Sequence, residues 1–574
     1  MKSKVLYKFT VYLCMLYSSI FLLAHKSLAQ DDFMTEYNIT YTIDINGLAQ
    51  VSHGVAITNL KNDVIATSYT LGLKQLDIYD ITAADKTGKL EIVQNAIGDQ
   101  NNLDIKLKNF VIGQGRQNSF TIFYKSKSIA TKSGEVWNIN IPRAQAATAT
   151  ASYNITLVVP KDFGPRIFIS PTPSTQKEDS TTITYSFANE VMQNRNIAAS
   201  FGKFQELNYR IRYQLFNPNW FTSNYELALP PTITNAQEVA YTNLDPQPSN
   251  TYLDKDGNYM AVYRLRPKQN LDVELTGSAK LTSMQIDPTQ GGKLNQVPPL
   301  LAYEYTRKQP FWETDAPKIK DLAKSLFDNK LTVAENARKI YDYLVTNYMY
   351  DFSISKKDFV DRLGAASAIN RKTDWGCMEF TDTFIAIARS MSIPAREING
   401  YALTTAENTR PISVTLKSGD LLHAWPEFYD PNLGWTQIDP TWGNTSNIDY
   451  FSKLDTNHFA FVVKGLNSEY PLPAGTYRIS ANDKLVEVDF SQIPQPQVFT
   501  ATFTIKKLFN WNLVALLMGK VRYSVTNTSK VAIFGANKSP ILPGKNAVYY
   551  IPRTEKSVLF KDAFNDEYTQ PLPN

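Results

Sequence analysis

Two stretches carry residue types that could do covalent chemistry together. One is Asp374-Trp375-Gly376-Cys377-Met378-Glu379-Phe380-Thr381-Asp382, a turn running into a helical pattern with a cysteine at the helix start. The other is His423-Ala424-Trp425-Pro426-Glu427-Phe428-Tyr429, which passes through Asp430-Pro431-Asn432-Leu433-Gly434 into Trp435-Thr436-Gln437-Ile438-Asp439-Pro440-Thr441. The chain has two cysteines, Cys14 and Cys377. Cys14 lies in a segment that reads as removable, which leaves Cys377 without a disulfide partner and marks it as a reactive thiol. The thiolate is the nucleophile, and an ordinary cysteine with pKa about 8.5 is mostly protonated at neutral pH. A helix N-terminus and a neighbouring imidazolium both favour the thiolate.

The second stretch reads as a β-hairpin that supplies such an imidazole. Side chains alternate faces along a strand, so His423, Trp425 and Glu427 share one face. Trp435, Gln437 and Asp439 take the same face of the partner strand, which makes His423 and Asp439 direct or diagonal neighbours. The chemistry this predicts is acyl transfer. Cys377 attacks a carbonyl, His423 moves the proton, Asp439 holds the imidazole, and a backbone N–H at the helix start faces the oxyanion. Blander roles suit the surrounding residues. Trp425, Glu427, Arg389 and Arg396 read as structural, and Glu379 and Asp382 as capping or solvating the cysteine helix. His53 reads as structural and His458 as incidental. The cysteine and histidines lack metal-ligand spacing, so neither a metal nor a cofactor is expected.

The elements that must position these groups begin near Trp312. Ile319, Leu322, Ala323 and Leu326 follow helical spacing, with Asp315 as the expected cap. Thr332-Val333-Ala334-Glu335 is a capping-box pattern ahead of the stripe Ala337, Ile340, Tyr341, Leu344, Val345 and Tyr348. A third helix starts near Cys377, with Phe380, Phe384, Ile387, Ala388 and Met391 on its inner face, and Pro394 ends it. Strands follow at Ala395–Ala402, Leu421–Tyr429 and Trp435–Asp439, an α+β order.

Residues 312–460 resemble a transglutaminase-like domain. The resemblance rests on Cys377 with Glu379-Phe380, Ala388-Arg389, Ile393-Pro394-Ala395-Arg396, Gly400-Tyr401, His423-Ala424-Trp425-Pro426-Glu427 and Gly434-Trp435 through Asp439-Pro440-Thr441. It implies a papain-like arrangement with Cys377 as nucleophile, His423 as general base and acid, and Asp439 as its orienting partner. One position departs from the family pattern: Trp375 stands where a glycine is usual, with Gly376 next to the cysteine. Trp375 and Trp425 are the candidate substrate-pocket residues, with plain packing as the alternative for Trp375.

The rest of the 574-residue chain reads as β structure around this unit. The expected division is a signal peptide at 1–29, an N-terminal β-sandwich at 30–205, a second, Ig-like β domain at 206–300, the transglutaminase-like domain at 301–464 and a C-terminal β domain at 465–574. Gln290–Pro299 reads as a linker. Asp254-Lys255-Asp256-Gly257-Asn258 reads as a hairpin turn, since it lacks the distal glutamate of a calcium loop. Leu513–Met518 is the most apolar C-terminal stretch and is expected in a core.

Lys2, Lys4 and Lys8, the apolar run Phe9–Ala24, and Ser27-Leu28-Ala29 form an export signal with cleavage expected after Ala29. The alternative is an uncleaved anchor. The formal net charge is +5, but removing this segment's four lysines leaves 55 basic against 54 acidic residues. The balance therefore excludes a general case for nucleic acid, and membrane contact is expected only through an uncleaved signal. The reading is a secreted or cell-surface cysteine acyltransferase or hydrolase acting on protein or peptide amides through a thioester. The alternative is a non-catalytic surface scaffold that keeps the fold.

Overall fold

The computed structural model describes residues 32–573 except 75, 98–99, 143–148, 190–191, 193–195, 203, 355–360, 403–413, 416–420, 447, 478, 480–482, 491–500, 530–531, 536–539 and 563–566. Residues 1–29, expected to be an export signal, lie outside the described residues. Strands dominate, and most helical residues fall between Pro299 and Ser446.

Period-two patterning builds the N-terminal part. In Phe33–Ile43 every second residue from Thr35 onward is buried. This strand pairs antiparallel with Ala49–Asn59 and parallel with Ala149–Pro160, inside an eight-stranded sheet. Its Tyr37, Ile39 and Tyr41 share one core with Leu71 and Leu103 of a three-stranded sheet and with Ile139 and Phe201 of a four-stranded sheet. His53 sits in that core, edge-on to Tyr37.

The next β unit pairs Gln205–Phe216 with Asn270–Leu281 over their full lengths. The other edge of Gln205–Phe216 takes Val486–Phe490, a strand from beyond the site-bearing region. Chain order alone gave no sign of that return. The turn at Asp254–Asn258 closes a hairpin, with Leu253 opposite Tyr259. Its polar groups are spent on protein contacts: Asp254 accepts from the Asn258 amide at 2.7 Å, and Asp256 accepts from the N–H groups of Gly465 and Leu466 at 2.9 and 3.1 Å.

The site-bearing region packs helices against a five-stranded sheet. Ala395–Ala402 lies between Leu421–Asp430 and His458–Lys464, and Gly434–Gln437 adds to Leu421–Asp430. The first long helix runs Pro317–Leu326. Ala316 is its N-cap, whereas Asp315, the expected cap, pairs with Lys308 in solvent. Proline at the first helical position explains the shift, since its missing N–H needs no partner there. The second, Val333–Asn347, has the expected capping box: Thr332 Oγ1 accepts from the Glu335 N–H at 3.0 Å and Glu335 Oε2 from the Thr332 N–H at 2.8 Å.

The stretch expected as a linker is packed instead. The Gly292 N–H donates to Asp430 at 2.8 Å. A Cβ on Gly291 or Gly292 would lie 2.5 Å from the Asp430 carboxylate or 2.7 Å from Pro431. These glycines let the chain press against the tip of the histidine hairpin.

The C-terminal sheets run Phe503–Leu508, Lys520–Asn527, Asn546–Pro552 and Pro540–Ile541, Ile533–Phe534, Ser557–Asp562, Glu567–Pro571. Their core is small and includes Phe503, Val525 and Phe560. Leu513–Leu517 does not join it. It is a short helix with only Ala515 buried, which corrects the expectation of a core segment. The helix is a single turn on a narrow sheet, and its outer side chains, Leu513, Val514 and Leu517 among them, are exposed.

Candidate active site

The cysteine helix, Cys377–Ser390, is buried almost all round. Gly376 is its N-cap, and the Glu379 carboxylate accepts the Gly376 N–H at 2.9 Å. This is the expected cap. It leaves Cys377 as the first helical residue, where backbone N–H groups have no intrahelical acceptor and the dipole is positive. Asp382 departs from expectation. It is fully buried rather than solvated, accepts from Trp312 Nε1 at 2.9 Å and is paired with the Arg362 guanidinium. Arg362 also reaches Glu397, so the charges behind the helix satisfy one another. Without such pairing, buried charge would be strongly destabilising.

The hairpin register is Glu427 opposite Gln437 and Tyr429 opposite Trp435. Continuing that register sets His423 and Asp439 on a diagonal. Asp439 lies just past the strand and divides its carboxylate between two tasks. Oδ1 accepts the N–H groups of Thr441 and Trp442 at 2.9 and 3.0 Å, at the start of the helix Pro440–Ser446. Oδ2 meets His423 Nε2 at 3.0 Å. The cap thus fixes the oxygen that holds the imidazole.

The Cys377 side chain lies close enough to His423 to favour its imidazolium. Burial disfavours the imidazolium, but Asp439 and Cys377 outweigh it and raise His423 to about 9. Burial likewise opposes the charge of Asp439, yet His423 and His458 hold that carboxylate well below its usual range. Cys377, His423 and Asp439 are 2%, 2% and 0% exposed.

His458, read from sequence as incidental, belongs to this cluster. Its Nε2 meets Asp439 Oδ2 at 3.2 Å and its Nδ1 meets Asp455 Oδ1 at 2.9 Å. A ring between two carboxylates donates from both nitrogens, which requires the imidazolium. Accordingly, although burial works against it, His458 is raised to about 9 by Asp455 and Asp439. Trp442, not singled out from the sequence, stacks on His423 at 5.4 Å between ring centroids and tilts against His458 at 4.6 Å. The signal for His458 was faint: an aspartate three residues earlier, and the start of an apolar strand 19 residues after Asp439.

The two candidate pocket tryptophans are both fully buried. Trp425 lies against His423, donates Nε1–H to Gln437 Oε1 at 2.9 Å and packs on Ile398 and Val463. It supports the histidine from below. Trp375 is apart from the cluster. It stacks on Tyr348 at 3.8 Å and donates to the carbonyls of Ala368 and Arg371 at 3.2 and 2.9 Å. The ring that takes the place of the usual glycine thus anchors the approach to the cysteine in the helical core. Arg389 and Arg396 are structural, as expected: Arg389 donates to the carbonyls of Ala395, Arg307 and Gly465, and Arg396 pairs with Glu427.

Ligand atoms of His423, Asp439 and His458 lie within 4.8 Å of one another, a convergence that the sequence spacing did not suggest. The donor chemistry does not suit an ion. A metal needs a ring lone pair, and both His458 nitrogens are committed as donors to carboxylates.

Residues 320–440 match the transglutaminase-like superfamily, so the chain carries a domain of that family within a β-rich, multidomain architecture. It is similar to the uncharacterized protein YebA of Bacillus subtilis, 24% identical over 231 residues, covering 33% of this chain and 29% of that one. It is also similar to an uncharacterized protein of Haemophilus influenzae, 23% identical over 254 residues, covering 38% of this chain and 67% of that one. The chain thus spans less than a third of the first relative's length. Among solved structures, one named a "putative cysteine protease" from Cytophaga hutchinsonii is 16% identical with a TM-score of 0.31, covering 50% of this chain and 98% of that one.

Proposed function

We propose that this transglutaminase-like domain is a cysteine acyl-transfer centre acting on protein or peptide amides. The observation that carries the reading is His423, held at Nε2 by Asp439 Oδ2 at 3.0 Å, beside a cysteine that opens its helix. In this reading the Cys377 sulfur attacks the carboxamide or peptide carbonyl carbon. The Cys377 N–H at the helix start faces the developing oxyanion. Collapse of the tetrahedral adduct breaks the C–N bond, and the His423 imidazolium gives its proton to the departing ammonia or amine. The thioester then passes its acyl group to water or to an amine, with neutral His423 taking the acceptor's proton. Asp439 keeps the ring oriented throughout.

The same reading has the chain exported by its N-terminal segment and cleaved after Ala29. Residues 301–464 form the catalytic unit, and the flanking β units are sandwich domains that hold it near its substrate. The test is thiol-dependent ammonia release from glutamine peptides, together with peptide cleavage, using Cys377→Ala as control. Turnover that vanishes in the variant supports the reading; absence of thiol-dependent turnover across a broad peptide panel contradicts it. A second reading, a surface scaffold that retains the fold, draws on the near-complete burial of Cys377. It predicts that the thiol gains no reactivity from His423.

A further inference from the structure

The C-terminal unit ends in a surface that nothing in the acyl-transfer reading uses. Between Phe503–Leu508 and Lys520–Asn527 the chain rises into the short helix Leu513–Leu517. The loop is locally built. Asn512 caps the helix by accepting the Ala515 N–H at 3.1 Å, Asn510 accepts the Asn512 N–H at 3.0 Å, and Asn510 donates to the Lys520 carbonyl at 3.1 Å. What this scaffold displays is apolar. Phe509, Trp511, Leu513, Val514, Leu517 and Met518 are each between 63% and 83% exposed, and the Phe509 and Trp511 rings pack on each other at 4.5 Å. Single exposed apolar residues are ordinary, but a contiguous cluster marks a contact surface.

Charge around the cluster identifies the occupant. From Asp489 to Glu555 the sequence has eight basic residues and no acidic one between them. Lys506 and Lys507 lie near the end of the strand that enters the loop, and Lys520 and Arg522 lie at the start of the strand that leaves it. Arg553 lies at the same end of the sheet, its N–H bonded to the Gly519 carbonyl, with Glu555 as the nearby acid. This local excess is hidden in the near-neutral total. An apolar tip carrying a tryptophan, ringed by cations, suits a layer that is apolar below and anionic at its face. The tip is too short to cross that layer, and among the described residues no helix is long and apolar enough to do so.

We propose that residues 509–518 insert into the interfacial zone of an anionic bilayer, with Lys506, Lys507, Lys520 and Arg522 meeting lipid phosphates. The chain docks on a membrane surface through its C-terminal unit, independently of the N-terminal export segment and of any catalysis at Cys377. The test is co-sedimentation of the processed chain, from Gln30 onward, with vesicles of phosphatidylglycerol and phosphatidylcholine or of phosphatidylcholine alone. Binding is expected to favour the anionic vesicles and weaken with salt. Leu513→Asp with Leu517→Asp, both at exposed positions, should lower partitioning about tenfold or more. Lys506→Glu with Lys507→Glu should remove the preference for anionic lipid. Circular dichroism reports that each variant is folded. Equal partitioning of wild type and both variants overturns the proposal. So does a dimer that the leucine variant abolishes in the absence of vesicle binding, because a second copy would then cover the tip.

Discussion

His53 and His458 are both buried, and both looked inert in the sequence, yet the fold treats them in opposite ways. His53 lies among tyrosines in the N-terminal core, and among the described residues neither of its ring nitrogens has a hydrogen-bond partner. Burial alone lowers it to about 3, so it is neutral. His458 lies between Asp439 and Asp455, is raised to about 9 and is a cation. Residue type and burial are nearly the same; what differs is whether carboxylates from elsewhere in the chain are brought to the ring. Among the described residues, the N-terminal sheet brings none to His53. The site domain offers two, and one of them also holds His423.

That contrast orders the expected effects of mutation. Cys377→Ala removes the nucleophile and should abolish thiol-dependent turnover, leaving the His53 region untouched. Asp439→Asn should lower turnover by about 10⁴, as loss of a triad carboxylate does, and should weaken both histidine contacts at once. His458→Ala leaves Asp439 and Asp455 short of a buried counter-ion and should cost about 3–5 kcal/mol in denaturant unfolding. His53→Leu replaces an unpartnered ring by an apolar side chain and should stay within about 1 kcal/mol of wild type. Equal costs at the two positions would break the comparison.

The pH dependence of stability should split the same way, as a smaller effect. His423 and His458 hold protons in the folded state that the unfolded chain releases near pH 6.5. Their contribution is therefore complete below about 6.5 and lost as pH rises toward about 9. His53 has the opposite sign, because the unfolded chain binds its proton more readily. Its contribution is present above about 6.5 and lost as pH falls toward about 3. Chemical denaturation across pH should show the alkaline limb shrink in a His458→Gln variant and the acid limb shrink in His53→Leu.

The cysteine helix, its Glu379 cap and the His423–Asp439 diagonal were legible because each follows from local periodicity or from a two-strand register. His458 was not, because its role depends on a strand paired on the far side of Ala395–Ala402, and non-local pairing leaves no mark in spacing. Asp382 misled for a related reason. A charged residue early in a helix reads as solvated, and only Arg362 and Trp312, brought in from outside the helix, make its burial tolerable. Leu513–Met518 misled through composition: an apolar run reads as core until the structure leaves all but Ala515 exposed.

The proposed acyl transfer depends on His423 acting on Cys377. The most direct measurement is the iodoacetamide alkylation rate of Cys377 against pH, by mass spectrometry, in the wild-type chain and in His423→Ala. The prediction is that at neutral pH the wild type is alkylated faster than the variant, because the His423 imidazolium favours the thiolate. Superimposed profiles, or no alkylation of either protein across the range, would contradict it.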